Sequence, residues 1–329
     1  MIWLQFVISA VLVVLAAVYL ARYGDVIAVR TRLGGLFIGT ILLATATSLP
    51  ELLTALNAIN QGVPSLTAGD FFGSSMFNML MLAVLDLLFQ QRRILRQVAT
   101  MHGLSAGLAI LLTGLAVFFI QANIELRLGW MGLDSLVLIG IYLYGIRLIN
   151  GHNHQRVSHV EVTEELPENM PALNVAIVGF AFATALLVAV TPWLVRSAVG
   201  ITEITGLRAG FVGVALVAVV TSLPEVVTTI AAARIGAYNL AIGNLFGSNA
   251  FNIFALGLVD LFFLDGRFLA VIDPALTIAG LMGLLLTCLA LIGNLAHEER
   301  RFFFIEVDAL MILIGYMGGM WLLFSRGIG

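Results

Sequence analysis

The chain contains no lysine: all 16 of its basic residues are arginine, a choice that nothing else in the sequence explains. Charge of either sign is scarce, at 11% of 329 residues, where a soluble domain carries roughly 25%. That scarcity excludes a soluble enzyme with a large core. Cysteine is nearly absent; Cys288 stands alone in an apolar run, so no internal disulfide forms and the redox compartment stays open. The five histidines fall in loops or near span ends, and no HExxH run occurs, which argues against an intramembrane enzyme. Hydrophobic residues are plentiful, at 60% with mean hydropathy +1.05. The composition is that of an all-α polytopic membrane protein.

Apolar segments separated by charged or Gly/Pro breaks predict ten transmembrane helices. They lie near 2–21, 33–60, 66–89, 98–120, 130–149, 172–196, 207–233, 240–264, 270–293 and 304–325. Each is long enough to cross ~30 Å of hydrocarbon at ~1.5 Å per residue. The first lacks a basic leader and has spanning length, so it reads as a retained helix and not a signal peptide. An even number of spans puts both termini on one side. With the termini outside, inner loops hold Arg22, Arg30, Arg32, Arg92, Arg93, Arg96, Arg147, Arg156, Arg234, Arg300 and Arg301. Outer segments then hold only Arg127, Arg196, Arg208, Arg267 and Arg326. The arginine bias favours that orientation in the plasma (inner) membrane. The polar stretch 150–171 becomes a cytoplasmic linker between a first unit, 1–149, and a second, 172–329. Its run His152 to Glu168 reads as a solvated loop.

Five letters, TSLPE, occur at Thr47–Glu51 and again at Thr221–Glu225, an offset of 174 (225 − 51). Without a gap, the same offset pairs Ser74 with Ser248, Asn78 with Asn252 and Asp86 with Asp260. From Thr47 to Asp86, 17 of 40 positions are identical to their partners. Chance would repeat Leu, Ala and Gly, but not TSLPE and GxxFGSxxFN in one register. The chain is therefore read as an internal duplication. Five helices per half is odd, so the second copy enters from the opposite face. Inverted repeats bring matching motifs together near the midplane, where secondary transporters bind their ions.

The motif carries its own chemistry. Pro50 and Pro224 have no N–H, so the carbonyls of Ala46 and Val220 lose their helical partners. A free carbonyl in hydrocarbon must be satisfied, and a cation does so. Glu51 and Glu225 follow the prolines. A carboxylate at mid-membrane costs at least ~2.5–3.5 kcal/mol and persists where a cation or a wet cavity meets it. Thr47 with Glu51, Thr221 with Glu225, Ser74 with Asn78 and Ser248 with Asn252 are each four apart and share a helical face. Together they make an all-oxygen set suited to Ca²⁺ and Na⁺, not to zinc or copper. Two carboxylates balance one Ca²⁺ or two Na⁺, which is a physical basis for exchange. Gly69, Gly73, Gly243 and Gly247 form two GxxxG pairs that let helices approach closely. Asp86 and Asp260 lie farther along the helix and read as structural, interfacial groups.

TSLPE followed by GxxFGSxxFN, in both halves, resembles the alpha repeats of the calcium/cation antiporter superfamily, with prokaryotic sodium/calcium exchangers most similar. The resemblance implies that Glu51 and Glu225 are the central calcium ligands. It implies that Thr47, Ser48, Ser74, Thr221, Ser222 and Ser248 line the ion positions, with backbone oxygens of Ala44 and Ala218. Asn78 matches the family's asparagine. Asn252 stands where many members have Asp, and Asp70 where the family usually has Asn, as Asn244 does in the second half.

The expected function is antiport of Ca²⁺ against Na⁺ by alternating access, with helices one and six moving. The transported ions and the bilayer are the expected partners. No cofactor, no nucleic acid and no obligatory oligomer are expected. Proton coupling is the alternative within the class, because Asn252 weakens the sodium analogy. A cation channel is the alternative outside it.

Overall fold

The computed structural model describes residues 1–31, 44–88, 99–157, 170–296, 301–302 and 305–328. It is built from helices: α1 (Ile2–Arg30), α2 (Leu49–Asn60), α3 (Pro64–Leu88), α4 (Ala99–Ala122) and α5 (Leu133–Val157). The second half follows with α6 (Leu173–Thr205), α7 (Ala209–Thr221), α8 (Leu223–Arg234), α9 (Tyr238–Phe262), α10 (Thr277–Ala296) and α11 (Val307–Leu323). Among the described residues, seven helices are long and apolar enough to cross a membrane, or eight with α7 and α8 taken as one bent span. The remaining two expected spans are 33–60, partly outside the described residues, and 130–149, which forms α5.

Several boundaries differ from expectation. α1 runs to Arg30 and α6 to Thr205, well past 21 and 196, because polar residues at a helix end are solvated without breaking its hydrogen bonds. α5 continues to Val157, so the linker expected from 150 begins as helix. The rest of the His152 to Glu168 run lies outside the described residues.

The offset of 174 extends well beyond the motifs. It carries α2 (49–60) onto α8 (223–234), α3 (64–88) onto α9 (238–262), and the starts of α5 and α11 onto one another (133 and 307). It also relates two small antiparallel hairpins, Arg127–Leu128 with Met131–Gly132 and Arg301–Phe302 with Ile305–Glu306. Packing follows the same rule with the halves exchanged. α2 lies on α6 as α8 lies on α1, and α3 lies on α10 as α9 lies on α4.

Corresponding helices run against each other. Ile2 meets Gly200 while Tyr23 meets Gly179, so α1 and α6 are antiparallel. Gly114 meets Leu284 and Val117 meets Gly280, which makes α4 and α10 antiparallel as well. α3 and α9 form the centre: 72% of the spanning stretch of each is buried, against 39% for α1 and 22% for α6. The outer pair shows large apolar side chains, Val178, Phe182 and Trp193 among them, as a lipid-facing surface requires.

Small residues set the closest approaches. A Cβ on Gly69 would overlap the Gly210 carbonyl, and one on Gly73 would lie 2.6 Å from the Val214 Cα. α3 of one half is thereby seated backbone to backbone on α7 of the other. Asp260 is structural. Its Oδ2 accepts from the Gly132 amide at 2.7 Å and its Oδ1 from the Phe268 amide at 2.6 Å, fixing the first hairpin.

Candidate cation site

Each helix breaks two residues before its proline. Pro50 and Pro224 occupy the first turns of α2 and α8, with Ser48 and Ser222 at the breaks. Proline is tolerated there because first-turn amides have no helical acceptor. The axes of α7 and α8 differ by 41°. The bend aims the glutamate that follows each proline inward. Glu51, Glu225, Thr47, Ser48, Thr221, Ser222, Ser74, Ser248, Asn78 and Asn252 are each 0% exposed. The site is closed to solvent.

Two hydrogen bonds cross between the halves. Ser48 Oγ donates to Glu225 Oε1 at 2.9 Å, and Ser222 Oγ donates to Glu51 Oε1 at 3.2 Å. The second bond is the first with the halves exchanged. Each serine could have bonded back to its own preceding turn, as membrane serines commonly do, and instead reaches the opposite acid. Ser248 Oγ lies 3.5 Å from Glu225 Oε1. The charges of Glu51, Glu225 and Asp70 are close enough to repel one another.

The remaining oxygens are partly uncommitted. Glu51 Oε2, Glu225 Oε2, Asp70 Oδ2, Ser74 Oγ and Asn78 Oδ1 are buried without a hydrogen bond. Both amide atoms of Asn252 are likewise unsatisfied. Buried polar groups of native proteins are almost always paired. A concentration of bare acceptors around two acids is an arrangement whose unmet bonds a cation could satisfy. Asn78 is the better anchored asparagine, since its Nδ2 donates to Asn249 Oδ1 at 2.9 Å. Neither glutamate meets an arginine among the described residues.

The backbone oxygens are more engaged. The Ala44 carbonyl accepts from the Ser48 amide at 3.0 Å and from Thr47 Oγ1 at 3.2 Å. The Ala218 carbonyl accepts from the Ser222 amide at 3.1 Å and lies 3.4 Å from Thr221 Oγ1. A π-helical turn, Gly213–Val217, leads into Ala218, and such turns often mark functional positions.

Among the described residues no group of three or more His, Cys, Asp or Glu is gathered as a ready-made chelate. A divalent ion here would therefore draw on hydroxyl, amide and carbonyl oxygens beside the glutamates, as the all-oxygen reading requires. The sequence reading missed one neighbour of the site and noticed another without placing it. Asn249 is visible only as a polar residue three before Asn252. Asp70 stood out as a mismatch in the repeat, but its place beside Thr221 depends on how α3 crosses α7.

The family model described as sodium/calcium exchanger protein matches residues 1–148 and 175–324. The chain belongs to this family. CaxA of Alkalimonas amylolytica, named as an antiporter, is 28% identical over 309 residues, covering 91% of each chain. The H⁺/Ca²⁺ exchanger CAX superposes with TM-score 0.64 at 13% identity, over 99% of this chain and 88% of that one. The sodium-calcium exchanger NCX_Mj superposes with TM-score 0.60 at 19% identity, over 96% of both. At these identities the two structures establish the fold they share with this exchanger-family chain.

Proposed function

We propose that this chain is a secondary-active antiporter that exchanges Ca²⁺ for Na⁺ and moves Ca²⁺ out of the cytoplasm. The observation that carries the reading is the pair of cross-half bonds, Ser48 to Glu225 and Ser222 to Glu51, inside a sealed, oxygen-lined centre. Glu51 and Glu225 are the central ligands. Thr47, Ser48, Ser74, Thr221, Ser222, Ser248, Asn78 and Asn252 supply hydroxyl and amide oxygens, and Ala44 and Ala218 supply carbonyls. Either one Ca²⁺ or two Na⁺ neutralise the two glutamates, while the empty pair repels itself. Both loads therefore favour the same closed centre over an unloaded one.

The architecture in this reading is ten transmembrane helices in two inverted five-helix repeats, 1–149 and 172–329. The shared boundaries, the exchanged contacts and the antiparallel α1–α6 and α4–α10 pairs support it. Alternating access then comes from sliding of the lipid-exposed pair α1–α6 across the buried α3–α9 centre. Arg30 helps to couple that pair: its Nε donates to the Pro171 carbonyl at 2.9 Å and its Nη2 to the Met170 carbonyl at 2.6 Å, at the start of α6. A single closed centre between unlike halves favours a carrier over a channel. The arginine bias puts both termini outside the plasma membrane.

The test is uptake of radiolabelled Ca²⁺ into proteoliposomes under separately imposed Na⁺ and pH gradients. Uptake driven by an outward Na⁺ gradient, and lost in Glu51→Gln and Glu225→Gln, is the expected result. Uptake that follows only the pH gradient would move the assignment to H⁺/Ca²⁺ exchange, the reading that Asn252 in place of an acid favours. Currents far above carrier turnover would indicate a channel.

A further inference from the structure

The offset of 174 pairs Ser75 of α3 with Asn249 of α9, and the two residues bond differently. Ser75 Oγ donates to the Phe71 carbonyl at 3.0 Å, back into its own helix. Asn249 crosses to the opposite half. Its Nδ2 donates to the Ser75 carbonyl at 3.3 Å, and its Oδ1 accepts from Asn78 Nδ2 at 2.9 Å. Both asparagine side chains are buried.

One group sets the polarity of this chain of bonds. A backbone carbonyl only accepts, so Asn249 must face Ser75 with its NH₂ group. The other amide atom, Oδ1, then faces Asn78 and also only accepts, so Asn78 must meet it with NH₂. What remains of the Asn78 amide is its oxygen, which is buried without a hydrogen bond. It belongs to the helix face shared with Ser74, whose Oγ is likewise unbonded. For Asn252, the counterpart of Asn78, the residue in the place of Asn249 is Ser75. A serine bonded to its own helix orients nothing, and both amide atoms of Asn252 stay without partners.

We propose that Asn249 is a positioning residue for cation binding: it holds the Asn78 amide with its oxygen, and not its NH₂ group, turned toward the ion. A free amide has two flipped orientations, and one of them presents partly positive hydrogens that a cation repels. Fixing the orientation before the ion arrives removes that cost from binding. Asn249 itself touches no ion in this arrangement, because its oxygen is engaged by Asn78 and its NH₂ by the Ser75 carbonyl. The two asparagines of the centre are thus unequal, one preset and one free. The inference rests on reading the centre as a Ca²⁺ site, and is independent of whether Na⁺ or H⁺ drives exchange.

The experiment is a double-mutant cycle on the purified full chain. Its readout is equilibrium Ca²⁺ binding, with Ca²⁺ raised until each variant saturates. Asn249→Ser gives the second half the residue of the first. Affinity should fall roughly three- to tenfold, about what one neutral hydrogen bond contributes. Asn78→Ala should weaken binding by a similar factor. Asn249→Ser added to Asn78→Ala should then change affinity by less than about twofold, because no amide remains to be oriented. A residue that merely ties α3 to α9 would cost the same factor in both backgrounds, since its bond to the Ser75 carbonyl is present in each. Equal losses therefore overturn the proposal, and so does wild-type affinity in either single variant. A wild type that binds no Ca²⁺ removes the reading of the centre together with the proposal, whereas equal losses remove the proposal alone. If Asn249→Ser yields no folded protein, Asn249→Thr carries the same cycle, its methyl filling more of the vacated space and its hydroxyl bonding back to its own helix.

Discussion

The first and second halves share boundaries and motifs, and around the centre their bonds exchange as a pair: Ser48 serves Glu225 as Ser222 serves Glu51. Away from that pair they diverge. Asn57 of α2 donates to the Leu53 carbonyl at 2.8 Å and to Thr191 Oγ1 of α6 at 3.0 Å, next to the proline inside that helix, Pro192. The corresponding residues of the other half, Ala231 and Ala17, cannot make such a bond. The two glutamates are each held by a serine of the opposite half, whereas the contact between a ligand-bearing helix and the outer pair is polar on one side and apolar on the other. In the proposed antiporter, like bonds to the two acids would let two opposite-facing states bind the same ion. Unlike contacts at the periphery would let those states differ in energy.

The strongest break in the comparison is expected away from the site. Arg267 and Asp134 form a fully buried ion pair, and the charge remaining after Arg267→Ala would have no partner. Stability should fall by about 3–5 kcal/mol in thermal unfolding, with transport per folded molecule retained. Their counterparts are Arg93 and Asp308, and Arg93 lies outside the described residues. An equal loss in Arg93→Ala would extend the likeness of the halves to that pair. Next come the acids: Glu51→Gln and Glu225→Gln should each weaken Ca²⁺ binding by about 2–5 kcal/mol, on the order of 30-fold or more, in equilibrium titration. A variant of one acid that kept its affinity would show that the halves contribute unequally.

Ser48→Ala and Ser222→Ala should each cost about 1.5–3 kcal/mol in the same titration, because the lost bond ends on a carboxylate. Similar values in the two variants sharpen the equivalence, and a large difference breaks it. The smallest effect belongs to Asn57→Ala, which makes the first half resemble the second. A loss of about 0.5–1.5 kcal/mol of stability is expected, with Ca²⁺ affinity unchanged and the ratio of uptake to efflux rates altered. An unaltered ratio would show that this bond does not bias the two states.

Much of the fold could be read from the residues. The lengths of the apolar runs and the charged or Gly/Pro breaks between them placed the spans, and the gapless 174-residue register announced the duplication before any helix was seen. The ends of α1, α5 and α6 could not be read that way, because polar residues end an apolar run without ending a helix. At the centre, TSLPE pointed to Glu51 and Glu225 through the cost of a carboxylate and a proline in hydrocarbon. Asn249 was not legible, since a polar residue in a buried helix looks the same whether it meets a partner helix or nothing. Asp70 was legible as a departure from its counterpart, and illegible as a neighbour of Thr221.

The residues by themselves determined a membrane protein, its repeat, and which two acids had to be compensated, because those follow from local composition and one register. Which hydroxyl reaches which acid was decided only by tertiary structure. Ser48 and Glu225 stand 177 positions apart and meet because small residues let α3 seat on α7 and α9 on the turn 44–47. Nothing short of that three-dimensional crossing distinguishes a serine bonded to its own helix from one that bridges two halves.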